Sequence, residues 1–282
     1  MSLPSPGVHL VPVDGGDLAV EVLPGTSAPV LAVHGISSSR RLWDWLHAQA
    51  PDLTLVAPDL RGRGDSLDVT GPSSVHQHAQ DCLAVLDALG LDRVVVCGMS
   101  MGGFVAVDLA VCHPDRVESL VLVDGGYPMA APPGLTRESL PAVVADRLAP
   151  LDRPWESLDQ YRDQFSHTAP LLDPSDPLLD AYLSRELADG RVRLSGAALL
   201  ADAESVLFGD SRWEDLTVPV RFSHAEWATG QGTSPVYPPD AVERYAAHAV
   251  TTRLLPGLDH AGSIMTRAGA VATAELLAEA LA

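Results

Sequence analysis

The sequence predicts an α/β protein built on a mostly parallel, doubly wound sheet that carries a helical insertion. Three observations lead there. Short, continuously apolar runs recur at Val30–Val33, Leu53–Ala57, Val94–Cys97 and Leu120–Val123, as strands buried on both faces of a parallel sheet require. Helical stretches separate these runs, the alternation that places helices on both sides of a sheet. From about residue 127 to 212 the alternation stops, and amphipathic helical patterns follow with no convincing strand.

The elements follow in order. Val8–Val13 and Leu18–Leu23 alternate apolar and polar residues, and Asp14-Gly15-Gly16-Asp17 between them is a hairpin turn signal. A helix begins at Ser74, where Gln77 completes a capping box. Its apolar positions are 75, 79, 82, 83, 86 and 89, and it stops at Gly90. A second, buried helix covers Phe104–Cys112. The insertion is punctuated by Pro132-Pro133, Pro150, Pro154, Pro170, Pro174 and Pro177. Strand-like runs resume at Val218–Phe222 and Thr251–Leu255, and an Ala-rich helix covers about 263–282. The expected division is one sheet domain, 1–126 with 213–282, and a helical cap, 127–212.

Composition narrows the chemistry. The 282 residues include 18 arginines and neither lysine nor asparagine. Schiff-base and PLP-anchoring chemistry, P-loop phosphate binding and Ser-Lys nucleophile pairs all need the missing amine. The missing amide excludes N-glycosylation and a Cys-His-Asn triad. Against the arginines stand 26 Asp and 11 Glu, for a net charge of −19, so nucleic acid is not an expected partner. No run of about 18 apolar residues suits a membrane span. The N-terminus has no basic and apolar leader pattern, and a soluble, cytoplasmic protein is the expectation. Cys82, Cys97 and Cys112 fall at periodic apolar positions and read as buried thiols.

The segment Gly98-Met99-Ser100-Met101-Gly102-Gly103 follows one strand directly and opens the buried helix. A Gly-x-Ser-x-Gly turn in that context holds a serine in a strained conformation, with the helix N-terminus beneath it to favour a developing oxyanion. The chain therefore resembles the α/β-hydrolase superfamily over essentially its whole length. His34-Gly35 is similar to the family's oxyanion loop, Asp59-Leu60-Arg61-Gly62-Arg63-Gly64-Asp65-Ser66 to the loop written D-x-R-G-x-G-x-S, and Gly257-Leu258-Asp259-His260 to its histidine loop. The resemblance implies Ser100 as nucleophile and the Ile36 and Met101 amides as oxyanion hole. It makes His34, Arg61 and Arg63 scaffold residues.

Family order, serine then acid then histidine, leaves His167, His224, His248 and His260 for the base. His260 lies just past the carboxyl end of the last strand, where open α/β sheets place their sites. For the acid, the usual position after the penultimate strand reads His224-Ala225-Glu226-Trp227-Ala228-Thr229, with alanines where Gly and Asp are expected. Glu226 is the nearby alternative. Asp124, at the end of Leu120–Val123, is favoured for its clean register, an arrangement that resembles haloalkane dehalogenases and zearalenone-type lactonases.

The expected activity is a carboxylic-ester hydrolase without cofactor or metal, acting on apolar small molecules. Trp43, Tyr127, Trp155 and Phe165 are candidate pocket residues. No metal-ligand spacing is visible, because His76 and His78 point to different faces of one helix. A lactone hydrolase or carbon–carbon bond hydrolase would share the constellation. A ligand-binding receptor on a hydrolase scaffold is the non-enzymatic alternative.

Overall fold

A computed structural model describes residues 4–129, 134–151 and 153–282. The first three residues and the Pro132-Pro133 pair lie outside the described residues. The strands are β1 (Gly7–Val13), β2 (Gly16–Leu23), β3 (Pro29–Val33), β4 (Thr54–Pro58), β5 (Val94–Met99), β6 (Val117–Val123), β7 (Leu187–Ala188), β8 (Arg191–Val192), β9 (Val220–Trp227) and β10 (Thr251–Asp259). The helices are α1 (Asp44–Gln49), α2 (Val75–Ala88), α3 (Met101–Cys112), α4 (Leu140–Val143), α5 (Ala145–Leu148), α6 (Leu158–Thr168), α7 (Pro177–Glu186), α8 (Gly196–Phe208), α9 (Pro239–Ala246), α10 (Gly262–Met265) and α11 (Arg267–Leu281).

Eight strands form one sheet in the order β1-β2-β4-β3-β5-β6-β9-β10. β2 pairs antiparallel with both β1 and β4, and every other pairing is parallel. The chain starts at one edge, reaches the centre at β3 and reverses direction across the sheet between β3 and β5. That reversal opens a crevice at the carboxyl ends of the strands, where such sheets place ligands. α2, α3 and α9 pack one face through Val33, Val96, Leu109, Leu120 and Phe222, and α1 and α11 the other through Val30, Leu46, Val95, Val121 and Leu276.

Local chemistry explains the helix ends. Ser74 accepts from the Gln77 amide at 3.1 Å and caps α2, but the Gln77 side chain reaches forward to Asp81 (3.1 Å), so the capping box is only half made. Gly90 ends the helix at φ 65°, with Gly90 donating to Asp87 and Leu91 to Leu86, a Schellman motif. The Ala-rich C-terminal helix is divided at Thr266, which caps α11 by accepting from Gly269 at 3.1 Å. The stretch from 127 to 212 is helical but not strand-free: β7 and β8 form a two-residue hairpin turned by Asp189 and Gly190 at positive φ. Runs that short leave no periodicity to read.

Candidate active site

β5 ends at Met99 and α3 begins at Met101, leaving Ser100 at the apex with φ 54° and ψ −123°. The glycines around it are required by contact. A Cβ on Gly98 would sit 2.2 Å from the Gly102 carbonyl oxygen, and one on Gly102 2.0 Å from that of Val33. A side chain at either position would push the helix off the sheet and the serine out of the crevice.

His260 follows β10 directly. Its Nε2 is 3.0 Å from Ser100 Oγ and its Nδ1 2.6 Å from Asp124 Oδ2. These partners make Nδ1–H the donor to the carboxylate and leave Nε2 to accept from the serine hydroxyl. Asp124 follows β6 directly, at φ 45°, and is fully buried. Its other oxygen accepts from the Ala225 amide at 3.1 Å, so the carboxylate is aimed by β9. Glu226 lies elsewhere: it accepts from the Gly257 amide at 2.7 Å and pins the irregular end of β10. Asp259 turns away from the serine and accepts from Gly230 and Gly262, both at 2.9 Å, which ties the histidine loop to the loop after β9.

The Gly35 backbone passes against the serine, close enough that a Cβ there would lie 3.2 Å from Ser100 Cβ. The next residue, Ile36, lines the crevice with Ser100 and Met101, and neither the Ile36 nor the Met101 amide donates to another described backbone group. His34 shapes this loop. Its Nδ1–H donates to Gly35 at 2.8 Å, and its Nε2 accepts from the Leu60 amide at 3.0 Å. Burial lowers its pKa to about 3, which keeps the ring neutral for those two bonds. Both loop arginines are held in buried ion pairs. Arg61 grips Asp81 through two 2.7 Å bonds. Arg63 pairs with Asp202 of α8 at 2.6 Å and donates to the Ile36 carbonyl at 3.0 and 3.1 Å.

The crevice at Ser100 has two lobes, with cavity volumes of about 630 and 830 Å³, open mouths included. Phe165, Tyr182, Leu42 and Met265 line one lobe, and Met129, Leu199, Leu207 and Val236 the other. Ile36, Ser100, Arg147, Ala228, Thr229 and His260 line both. Of the four aromatics expected there, only Phe165 is present. Trp43 is buried in the core on the α1 face. Tyr127 stacks on Tyr245 with centroids 4.4 Å apart and meets Trp213 and Phe222 edge-on. Trp155 packs on Tyr161 and donates to the Pro150 carbonyl at 3.0 Å. All three satisfy core packing, the commoner use of large aromatics. The spacing of Leu199, Ala203, Val206 and Leu207 on α8 does mark an apolar face, but not which cavity it covers.

Away from the crevice, the described residues bring one set of possible metal ligands together. His76, Asp108 and Cys112 have donor atoms within 4.8 Å of one another, with His76 Nδ1 2.9 Å from Asp108 Oδ2. The set spans α2 and α3, so spacing along one helix could not reveal it. No helix among the described residues is long and apolar enough to cross a membrane.

Residues 30–274 match the model of the alpha/beta hydrolase family. "Lipase LipV" of Mycobacterium tuberculosis is 35% identical over 166 residues, covering 58% of this chain and 59% of the lipase. The chain thus matches less than two thirds of that relative's length. A putative 2-succinyl-6-hydroxy-2,4-cyclohexadiene-1-carboxylate synthase of Bacillus subtilis is 26% identical over 237 residues and 79% of both chains. Among solved structures, E-2-(acetamidomethylene)succinate hydrolase superposes with a TM-score of 0.78 at 22% identity, covering 96% of this chain and 97% of that one. A thermophilic esterase from Thermogutta terrifontis gives 0.70 at 20% identity, covering 98% and 99%. At these identities the structures establish the shared fold.

Proposed function

On the premise that the chain belongs to the alpha/beta hydrolase family, we propose that it is a serine hydrolase of carboxylic esters that works through an acyl-enzyme. The observation that carries this reading is the continuous hydrogen-bond chain from Ser100 through His260 to Asp124. Ser100 Oγ attacks the ester carbonyl while His260 Nε2 takes its proton. Asp124 holds the ring in the Nδ1–H tautomer and balances the imidazolium charge. The Ile36 and Met101 amides receive the oxyanion. His260 returns the proton to the leaving alcohol as the acyl–oxygen bond breaks, and water then releases the acid by the reverse sequence.

The apolar lobe lined by Met129, Leu199, Leu207 and Val236 favours an apolar acyl or alcohol group. In this reading the helices between β6 and β9 act as a cap that shields the acyl-enzyme from bulk water. Labelling by a fluorophosphonate, abolished in Ser100→Ala, separates an enzyme from a ligand-binding receptor. Turnover of short and long 4-nitrophenyl esters is expected, falling on the order of 10⁶-fold in Ser100→Ala or His260→Ala. Turnover confined to macrolactones or to a ring-cleavage dienone would replace the ester reading with a lactone or carbon–carbon hydrolase.

A further inference from the structure

Arg147, on α5, lines both lobes of the crevice with Ser100 and His260. Most of the other arginines hold a carboxylate: Arg40 and Arg41 share Glu21, and Arg61, Arg63, Arg116, Arg137, Arg162, Arg185, Arg193, Arg212, Arg221 and Arg253 each have at least one ion pair. Among the described residues Arg147 has neither an ion pair nor a side-chain hydrogen bond. Its side chain is exposed overall, and part of it lines the two cavities. Protein packs around the guanidinium closely enough that desolvation holds its pKa below the usual arginine value.

The lining around it is equally selective. The chain has 37 carboxylates, yet neither lobe at Ser100 is lined by an Asp or a Glu. The nearest acid in sequence, Asp146, lines an adjoining depression that shares Ser37, Arg147, Phe165 and Thr168 with one lobe. A guanidinium that a bound substrate takes from water without a counter-ion is costly. Its planar fork of donors suits a carboxylate, which it can bind through two parallel hydrogen bonds.

We propose that Arg147 binds a carboxylate of the substrate, so that the ester this crevice accepts has an apolar body and one anionic end. The assignment rests on the hydrolase reading for its chemistry and adds the substrate's charge. Arg147 is then a specificity-determining residue: it anchors the anion at the junction of the lobes while the scissile carbonyl sits at Ser100.

The test compares kcat/KM for mono-4-nitrophenyl adipate and for the neutral 4-nitrophenyl ester of adipate monoamide, in wild type, Arg147→Gln and Arg147→Lys. Wild type should prefer the anionic ester. Arg147→Gln should lose about tenfold or more on it, mainly through KM, as expected for a lost charged hydrogen bond. The neutral ester should change less than about twofold, and Arg147→Lys should keep part of the preference. Equal losses on both esters, or no anionic preference in wild type, would overturn the proposal. Fluorophosphonate labelling reports the hydrolase reading separately. Labelling at Ser100 without anionic preference removes only the Arg147 assignment. If labelling and turnover are both absent, the hydrolase reading falls. Calorimetric binding of adipate then decides the anion site: affinity lost in Arg147→Gln supports it, and affinity unchanged or absent overturns it.

Discussion

Two carboxylates compete for one imidazole, and geometry separates them. Asp124 is buried 2.6 Å from His260 Nδ1, while Glu226 binds a backbone amide on β10. Asp124→Asn would present an amide to that nitrogen and favour the wrong tautomer, so kcat should fall roughly 10⁴-fold with little change in KM. Glu226→Gln should cost less than about threefold, since the variant keeps an acceptor for Gly257. Steady-state kinetics on one activated ester decides the matter, and the reverse ranking would reassign the acid. A third acid has a different role. Burial raises the Glu186 pKa from 4.5 to about 8, so the folded protein holds a proton there that the unfolded chain releases. Its contribution to stability is complete below about pH 4.5. It is lost as pH rises toward 8, by up to about 1.4 kcal/mol per unit. Glu186→Gln lacks that slope. Its urea midpoint should therefore gain on wild type between about pH 5 and about pH 8; a constant difference would show that Glu186 does not titrate in this window.

Between elements, α8 and the loop after β3 are joined by a buried charge. Asp202 on α8 accepts from Ser73 Oγ at 2.9 Å, lies 3.0 Å from His78 Nε2, and pairs with Arg63, whose guanidinium also holds the Ile36 carbonyl. Asp202→Ala would leave Arg63 buried and unpaired, at a cost of about 3–5 kcal/mol. The exposed Asp210→Ala should stay within about 0.5 kcal/mol. Equilibrium urea denaturation measures both, and a loss below about 1 kcal/mol for Asp202→Ala would mean that Arg63 finds another partner. No spacing rule connects positions 63, 78 and 202, so this junction was not legible in the sequence. The sheet strands were, because burial on both faces demands unbroken apolar runs. Ser100, Asp124 and His260 were legible as candidates because each sits where a strand ends. The pocket walls were not: an aromatic in the core and one in a cavity have the same local sequence, and Trp43, Tyr127 and Trp155 lie in the core whereas Arg147 lines the crevice.

Across the whole molecule, charge sets two demands that oppose each other. With 37 acids against 18 arginines the net charge is −19, and the long-range field repels an anion approaching the crevice. Arg147 and the acid-free lining attract the same anion once it is inside. Salt distinguishes the two because they act over different distances. The Debye length falls from about 30 Å at 0.01 M to about 8 Å at 0.15 M, so added salt removes the repulsion between separated charges and barely weakens a contact pair within the protein. For mono-4-nitrophenyl adipate, kcat/KM should therefore rise, roughly threefold, as NaCl increases over that range. The neutral monoamide ester should stay flat. In Arg147→Gln the anionic ester should show the same rise from a lower baseline, because the distant field is unchanged. A fall with salt in wild type would mean that the local cation governs encounter as well as binding, and that the acidic surface lies too far from the mouth of the crevice to be felt there.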